Sequence, residues 1–313
     1  MMRALTIIMM LMGGLLYLSP LPASESGAGA TYRVYFLGGQ SNMEGFGYTN
    51  ELPAEWLGPV DKVRIFSGQM RADNQPGAGV GSWQPLQPGF GTGFITDGET
   101  QTLSGRFGPE LAFGKRLSDL MPGERIAIIK YSRGGSALEQ GASGFGTWAP
   151  DFEEGDGINQ YDHALATIRN ALSTADIDGD GKTDALLPAG IIWMQGEADA
   201  YHSMESASAY DANLKRMMDL LRAALRVDDL PVVIGLITDS GQAEDGSMMD
   251  YIEIVQQAQM EYTNRDRCAT LVTETRNLGY IEDGWHYDTE GFLRLGARFA
   301  DAVHALEADC PPR

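Results

Sequence analysis

Tyr32-Arg-Val-Tyr-Phe-Leu37, running straight into Gly38-Gly39-Gln40-Ser41-Asn42-Met43, decides how the rest of the chain is read. A short, nearly continuous apolar run suits a strand buried on both faces, as in a parallel sheet. The glycines after it mark a tight turn that exposes the Ser41 hydroxyl and lets backbone N–H groups face a bound carbonyl. A serine in a glycine-rich loop is usually plain turn chemistry. What decides between the two is whatever else gathers at that end of the sheet.

Four further runs read as strands: Ile126 to Tyr131, Ala189 to Met194, Val232 to Thr238 and Ala269 to Glu274. Between them lie segments with helical periodicity: Pro109 to Leu120, Tyr161 to Leu172, Ser206 to Leu225, Met248 to Asn264 and Thr289 to Leu306. Strand and helix in alternation predict an α/β fold, with a central parallel sheet of about five strands between two helical layers. Residues 31–313 then form a single domain. Its Gly- and Pro-rich stretch at about 50–106 is expected to cross over the top of the sheet, either shaping a substrate site or forming an ordinary surface insertion.

Ligands of open parallel sheets bind beyond the carboxyl ends of the strands. After the second run come Ser132-Arg133-Gly134-Gly135-Ser136, where paired glycines let the backbone approach a ligand. The third run ends in Trp193-Met194 and delivers Gln195-Gly196-Glu197-Ala198-Asp199, an amide and two carboxylates. A nucleophilic serine needs a base, and the chain has four histidines. His163 and His304 fall in helical patterns, and His202 follows the Gln-Gly-Glu turn. His286 sits in Asp283-Gly284-Trp285-His286, where an Asp three residues earlier can fold back onto the imidazole and fix its tautomer.

Gly-Gln-Ser-Asn-Met after the first strand, Trp-Met-Gln-Gly-Glu-Ala-Asp at the end of a central one, and Asp-Gly-Trp-His near the C-terminus form an ordered set. Phe107-Gly-Pro-Glu-Leu111, Gly134-Gly135-Ser136 and Gly291 through Leu295-Gly296 extend it. The set resembles the sialate O-acetylesterase and plant-type carbohydrate acetylesterase family of the SGNH hydrolases, from about Tyr32 to about Val303. The resemblance implies a flavodoxin-like three-layer fold and hydrolysis of acetyl esters on an acetylated carbohydrate. It makes Ser41 the nucleophile, His286 the general base and acid, and Asp283 the orienting carboxylate. The oxyanion hole would combine the Ser41 N–H, an N–H at Gly134 or Gly135, and Gln195, where many SGNH enzymes use Asn. Glu197 either assists the site or holds the loop bearing Gln195; the second role is preferred because Asp283 already completes a triad. An SGNH lipase or arylesterase, or a carbohydrate-binding protein that has kept the fold, are the rival readings.

Composition narrows the setting. Arg3, the apolar run from Ala4 to Leu18 and the small and polar residues to Ala30 read as a signal peptide over residues 1–23, with cleavage as late as residue 30. A secreted or periplasmic protein with no membrane attachment after cleavage is expected. The net charge of −20 opposes nucleic acid and anionic membrane partners. Cys268 and Cys310 are the only cysteines, and the sequence leaves open whether they pair. Asp176, Asp178, Asp180, Lys182 (through its carbonyl) and Asp184 follow the first nine positions of a calcium loop, but Leu187 stands where a bidentate Glu is required. A structural calcium and a solvated acidic turn both fit. No cofactor is expected for catalysis.

Overall fold

The computed structural model describes residues 28–310 apart from Asp156; the expected signal segment, residues 1–23, lies outside the described residues. Seven strands form one sheet: β1 (Thr31–Gly39), β2 (Val63–Ser67), β3 (Trp83–Pro85), β4 (Arg125–Ser132), β5 (Ala185–Met194), β6 (Val232–Gly235) and β7 (Ala269–Val272). Their order is β7-β6-β5-β1-β4-β2-β3, parallel throughout except for the antiparallel pair β2–β3 at one edge. The α/β class holds, and the sheet is two strands wider than expected. Both extra strands come from the 50–106 insertion, which therefore does more than cross the top. Val63, Ile65 and Phe66 are buried, so this short run finds the same two-sided burial as the central strands.

Helices α1 (Ser41–Glu44), α2 (Glu110–Leu120), α3 (Gln160–Leu172), α4 (Glu197–His202), α5 (Met204–Leu225), α6 (Ile252–Arg265) and α7 (Thr289–Asp309) complete the frame. α2 packs on α7, while α5 packs on both α3 and α6. Their starts are chemically marked. Pro109 precedes α2, Asn159 caps α3 by accepting from the Asp162 N–H, and Asp288 caps α7 by accepting from the Gly291 N–H. No helix among the described residues is long and apolar enough to cross a membrane.

β1 is the axis of the core: Tyr35, Phe36 and Leu37 are fully buried, as are Ile191, Ile192 and Trp193 of neighbouring β5. Register between these strands shifts after Val34, where Pro188 enters β5. Proline cannot donate to the ladder, and a bulge absorbs it. At the end of β1 the strands converge: Gly39 has φ +142°, and a Cβ there would collide with the Met194 carbonyl. Only glycine allows the turn to begin at that point.

Cys268 and Cys310 form a disulfide across forty-two residues, tying the end of α7 to the start of β7. This answers a question that the sequence alone leaves open. Closing a loop of that length in the unfolded chain stabilises the fold by about 4 kcal/mol. Replacing both cysteines by alanine should lower the melting temperature by roughly 7 °C. A calorimetric shift within error of zero would mean that the bond contributes no stability.

Candidate active site

Because β5, β1 and β4 are neighbours, the turns that follow them open onto one cavity of about 600 Å³. Its wall includes Ser41, Gly134, Gly135, Glu197 and His286. Ser41 is the first residue of α1, a single turn closed by Met43 and Glu44 donating to the Gln40 carbonyl at 2.9 and 2.8 Å. Neither the hydroxyl nor the N–H of Ser41 has a hydrogen-bond partner among the described residues. Opposite stands His286, whose Nδ1 lies 2.6 Å from Asp283 Oδ2. Asp283 Oδ1 accepts the N–H groups of Trp285 and His286 at 2.8 and 3.0 Å. Partial burial pushes this carboxyl upward, but the His286 and backbone hydrogen bonds outweigh it and hold the group below its ordinary value. The Phe46 ring lies flat on the imidazole, 3.6 Å between centroids and 2° from parallel, which fixes the plane of the ring.

On the expected oxyanion side, the two glycines are distinguished and Gln195 lies deeper than expected. Gly134 N–H is committed to Glu44 Oε2 at 2.7 Å, whereas Gly135 N–H has no partner among the described residues. Gly134 is nonetheless constrained: a Cβ there would stand 2.9 Å from Glu44 Oε2 and 3.4 Å from the Ser41 Cβ. Gln195 is fully buried behind the wall, not in it. Its Nε2 is shared among Asp199 Oδ2 at 2.6 Å, the Ser136 carbonyl at 3.2 Å and Gln40 Oε1 at 3.3 Å. The correction has a simple origin. Asp199, four residues beyond Gln195, takes its amide, while the N–H groups of Ser41 and Gly135, both on the cavity wall, keep no partner among the described residues.

Other residues support the site, among them Gln40 and Lys130, to which the sequence assigns no role. Gln40 Oε1 also accepts from Gly196 and Ala198 N–H, at 3.2 and 3.3 Å, joining the ends of β1 and β5. Asp199 accepts from Leu138 and Glu139 N–H, both at 2.9 Å, and burial pushes its carboxyl up to about 6 against these bonds. Beneath the serine turn, the buried Lys130 pairs with Glu110 at 2.7 Å and donates to the carbonyls of Glu44 and Phe90 at 2.9 Å. A charge inside an apolar strand run, as Lys130 in Ile126 to Tyr131, is the sequence signal for such a residue, since an unpaired buried charge is too costly to keep. Asn42 donates to Glu197 Oε1, and burial raises the Glu197 carboxyl.

His202 also reaches the cavity, but no carboxylate is bonded to it among the described residues; His304 is exposed on α7, and His163 lies on α3. The insertion adds Thr92 to the wall. Far from it, Asp176, Asp178 and Asp184 bring carboxylate oxygens within 4.8 Å of one another, a set that could hold a cation, while Asp180 turns to Lys182 at 3.6 Å. These groups also have internal partners. Asp176 accepts from Gly179 and Gly181 N–H, Asp184 from Ala30 and Ile177 N–H, and Asp178 from the Tyr32 hydroxyl. If the loop holds calcium, chelation should lower the melting temperature, and the Asp178→Ala/Asp180→Ala variant should lose that response. A parent indifferent to EDTA and to added calcium would leave the loop as a turn held by its own N–H donors.

Fold and cavity together give an α/β domain in which a serine turn and an Asp-paired histidine meet at the carboxyl ends of the strands. The chain belongs to the carbohydrate esterases of the sialic acid-specific acetylesterase family, whose profile matches residues 31–305. A protein of Arabidopsis thaliana solved at 1.6 Å is similar in structure, with 20% identity and a TM-score of 0.58 over 87% of this chain and 98% of that one. A carbohydrate acetylesterase from Xanthomonas citri gives 19% identity and 0.57 over 88% of this chain, which spans 57% of that protein. NanS gives 18% and 0.57, over 90% and 99% of the respective chains. Likeness at these identities speaks for the fold. No curated protein sequence matches the chain.

Proposed function

We propose that the protein is a secreted carbohydrate O-acetylesterase working by two-step acyl transfer. Ser41 Oγ attacks the acetyl carbonyl while His286 Nε2 takes its proton. The N–H groups of Ser41 and Gly135 receive the developing oxyanion, and Asp283 stabilises the imidazolium. His286 then protonates the departing sugar oxygen as the ester C–O bond breaks, leaving an acetyl-enzyme. Water, deprotonated by His286, attacks that intermediate and releases acetate and the free serine. Each proton is carried by His286, so the scheme asks for no metal or organic cofactor. The observation that carries the reading is the 2.6 Å contact of Asp283 with Nδ1, which leaves Nε2 as the nitrogen available to the cavity.

A carbohydrate as the leaving group is supported by Phe145 and Tyr201, large exposed rings on the cavity wall that offer flat faces to a sugar. Export is supported by the disulfide, a bond of oxidising compartments. Cleavage after Ala23 would keep Gly29 and Ala30, whose N–H groups bond to Thr183 and Asp184. The test is acetate release from acetylated xylan, O-acetylated sialic acids and acetylated algal or bacterial polysaccharides, beside a p-nitrophenyl ester series of increasing chain length. Release from at least one carbohydrate, with acetate preferred over longer chains, is expected. Preference for long acyl chains and no release from any carbohydrate would overturn the reading in favour of a lipase or arylesterase.

A further inference from the structure

The proposed mechanism requires Ser41 and His286 to meet, although 245 residues separate the Asn42 and Tyr287 beside them. Asp283 orients the imidazole within its own loop, and nothing in that contact fixes the loop relative to the serine. Asn42 does. Its side chain is buried, and its Oδ1 accepts the Tyr287 N–H at 3.2 Å while its Nδ2 donates to the Trp285 carbonyl at 3.1 Å. Those two backbone groups lie immediately on either side of His286. The second Nδ2 proton goes to Glu197 Oε1 at 2.8 Å, whose residue is 3% exposed. The Tyr287 N–H can only donate and the Trp285 carbonyl can only accept, so they fix which end of the Asn42 amide carries the protons, and Glu197 holds the amide there by accepting the remaining one. Asn42 and Glu197 are almost wholly buried, so a misplaced donor or acceptor between them is poorly compensated by water.

We propose that Asn42 is a positioning residue that clamps the backbone on both sides of His286 to the nucleophile turn, and that Glu197 is the buried anchor that holds the Asn42 amide in place. This rests on the reading of Ser41 and His286 as nucleophile and base. Asn42 does not touch the reacting atoms; it fixes the distance over which Ser41 and His286 must exchange a proton. A displacement of about 1 Å at that point costs on the order of 100-fold in rate.

The test uses the full chain and p-nitrophenyl acetate, an ester too small to depend on sugar contacts. Asn42→Asp keeps the acceptor for Tyr287 but loses both donors and faces Glu197 with a second carboxyl. It should lower kcat by about 100-fold with little change in KM. Adding Glu197→Gln should recover about tenfold of that loss, since the new amide can donate to the introduced carboxylate and restore the bond with the roles of donor and acceptor exchanged. Near-ultraviolet circular dichroism and the melting temperature report on folding of each variant. A folded Asn42→Asp enzyme with kcat within about twofold of wild type would overturn the clamp. So would a double variant no faster than Asn42→Asp alone or, where the single variant fails to fold, a folded double variant still about 100-fold slower than wild type. A wild-type chain that hydrolyses no acetyl ester would instead overturn the assignment of the site itself.

Discussion

Ser41→Ala is expected to remove ester hydrolysis, with a loss in kcat of about 10⁵-fold or more, and to leave the fold and melting temperature unchanged. The two halves of that expectation have different grounds. Activity is lost because no other hydroxyl stands on the turn where β1 ends and the cavity begins. Stability is kept because the hydroxyl has no hydrogen-bond partner among the described residues, and its turn is closed by backbone bonds to Gln40 and by the Lys130 ammonium beneath it. Acetate release by the purified variant, measured against the parent together with the unfolding midpoint, is the check. Turnover near that of wild type would exclude Ser41 as the nucleophile.

Asp283→Asn should cost roughly 10⁴-fold in kcat, and Glu197→Gln far less. With its carboxyl held below the ordinary range, Asp283 is ionised wherever the enzyme would work at neutral pH, and it can accept a proton-bearing Nδ1. An Asn amide can instead present its N–H₂ to Nδ1 and favour the tautomer with the proton on Nε2, which cannot act as a base. Glu197 is in the opposite condition: burial raises its carboxyl, and a Gln there still offers an oxygen to Asn42. If steady-state kinetics rank the two variants the other way, the orienting role belongs to Glu197 and not to Asp283.

The central strands and the serine turn were legible because their cause is local. Phe36-Leu37 and Ile191-Ile192 are apolar on successive positions, which only two-sided burial explains. Val63–Ser67 is hard to recognise as a strand because its five residues are embedded in Gly- and Pro-rich sequence and include Arg64. The pairing of Cys268 with Cys310 depends on where α7 ends in space, which no spacing rule supplies. Within the site, residue positions were readable but side-chain commitments were not. Gln195 is at the end of β5 as expected, yet whether its amide faces the cavity depends on Asp199 capturing it. Gly134 likewise adjoins the serine, but its N–H belongs to Glu44. Asn42, Gln40 and Lys130 act through partners 20 to 245 residues away, contacts that depend on how β1, β4 and β5 are brought together.

The narrow margins of the sheet bear on how the chain survives at high local concentration. β3 is three residues long, runs against its neighbour and ends in Pro85, which has no N–H to offer, while Trp83 is fastened sideways through Nε1 to the Ala171 carbonyl. β7 at the other margin is four residues long. Few backbone groups are left in line to template a strand from another molecule. An insertion that looks decorative in the sequence thus finishes the sheet with a border unsuited to polymerisation. Lengthening that border, or replacing Pro85 with a strand-forming residue, should raise the tendency to edge-to-edge aggregation.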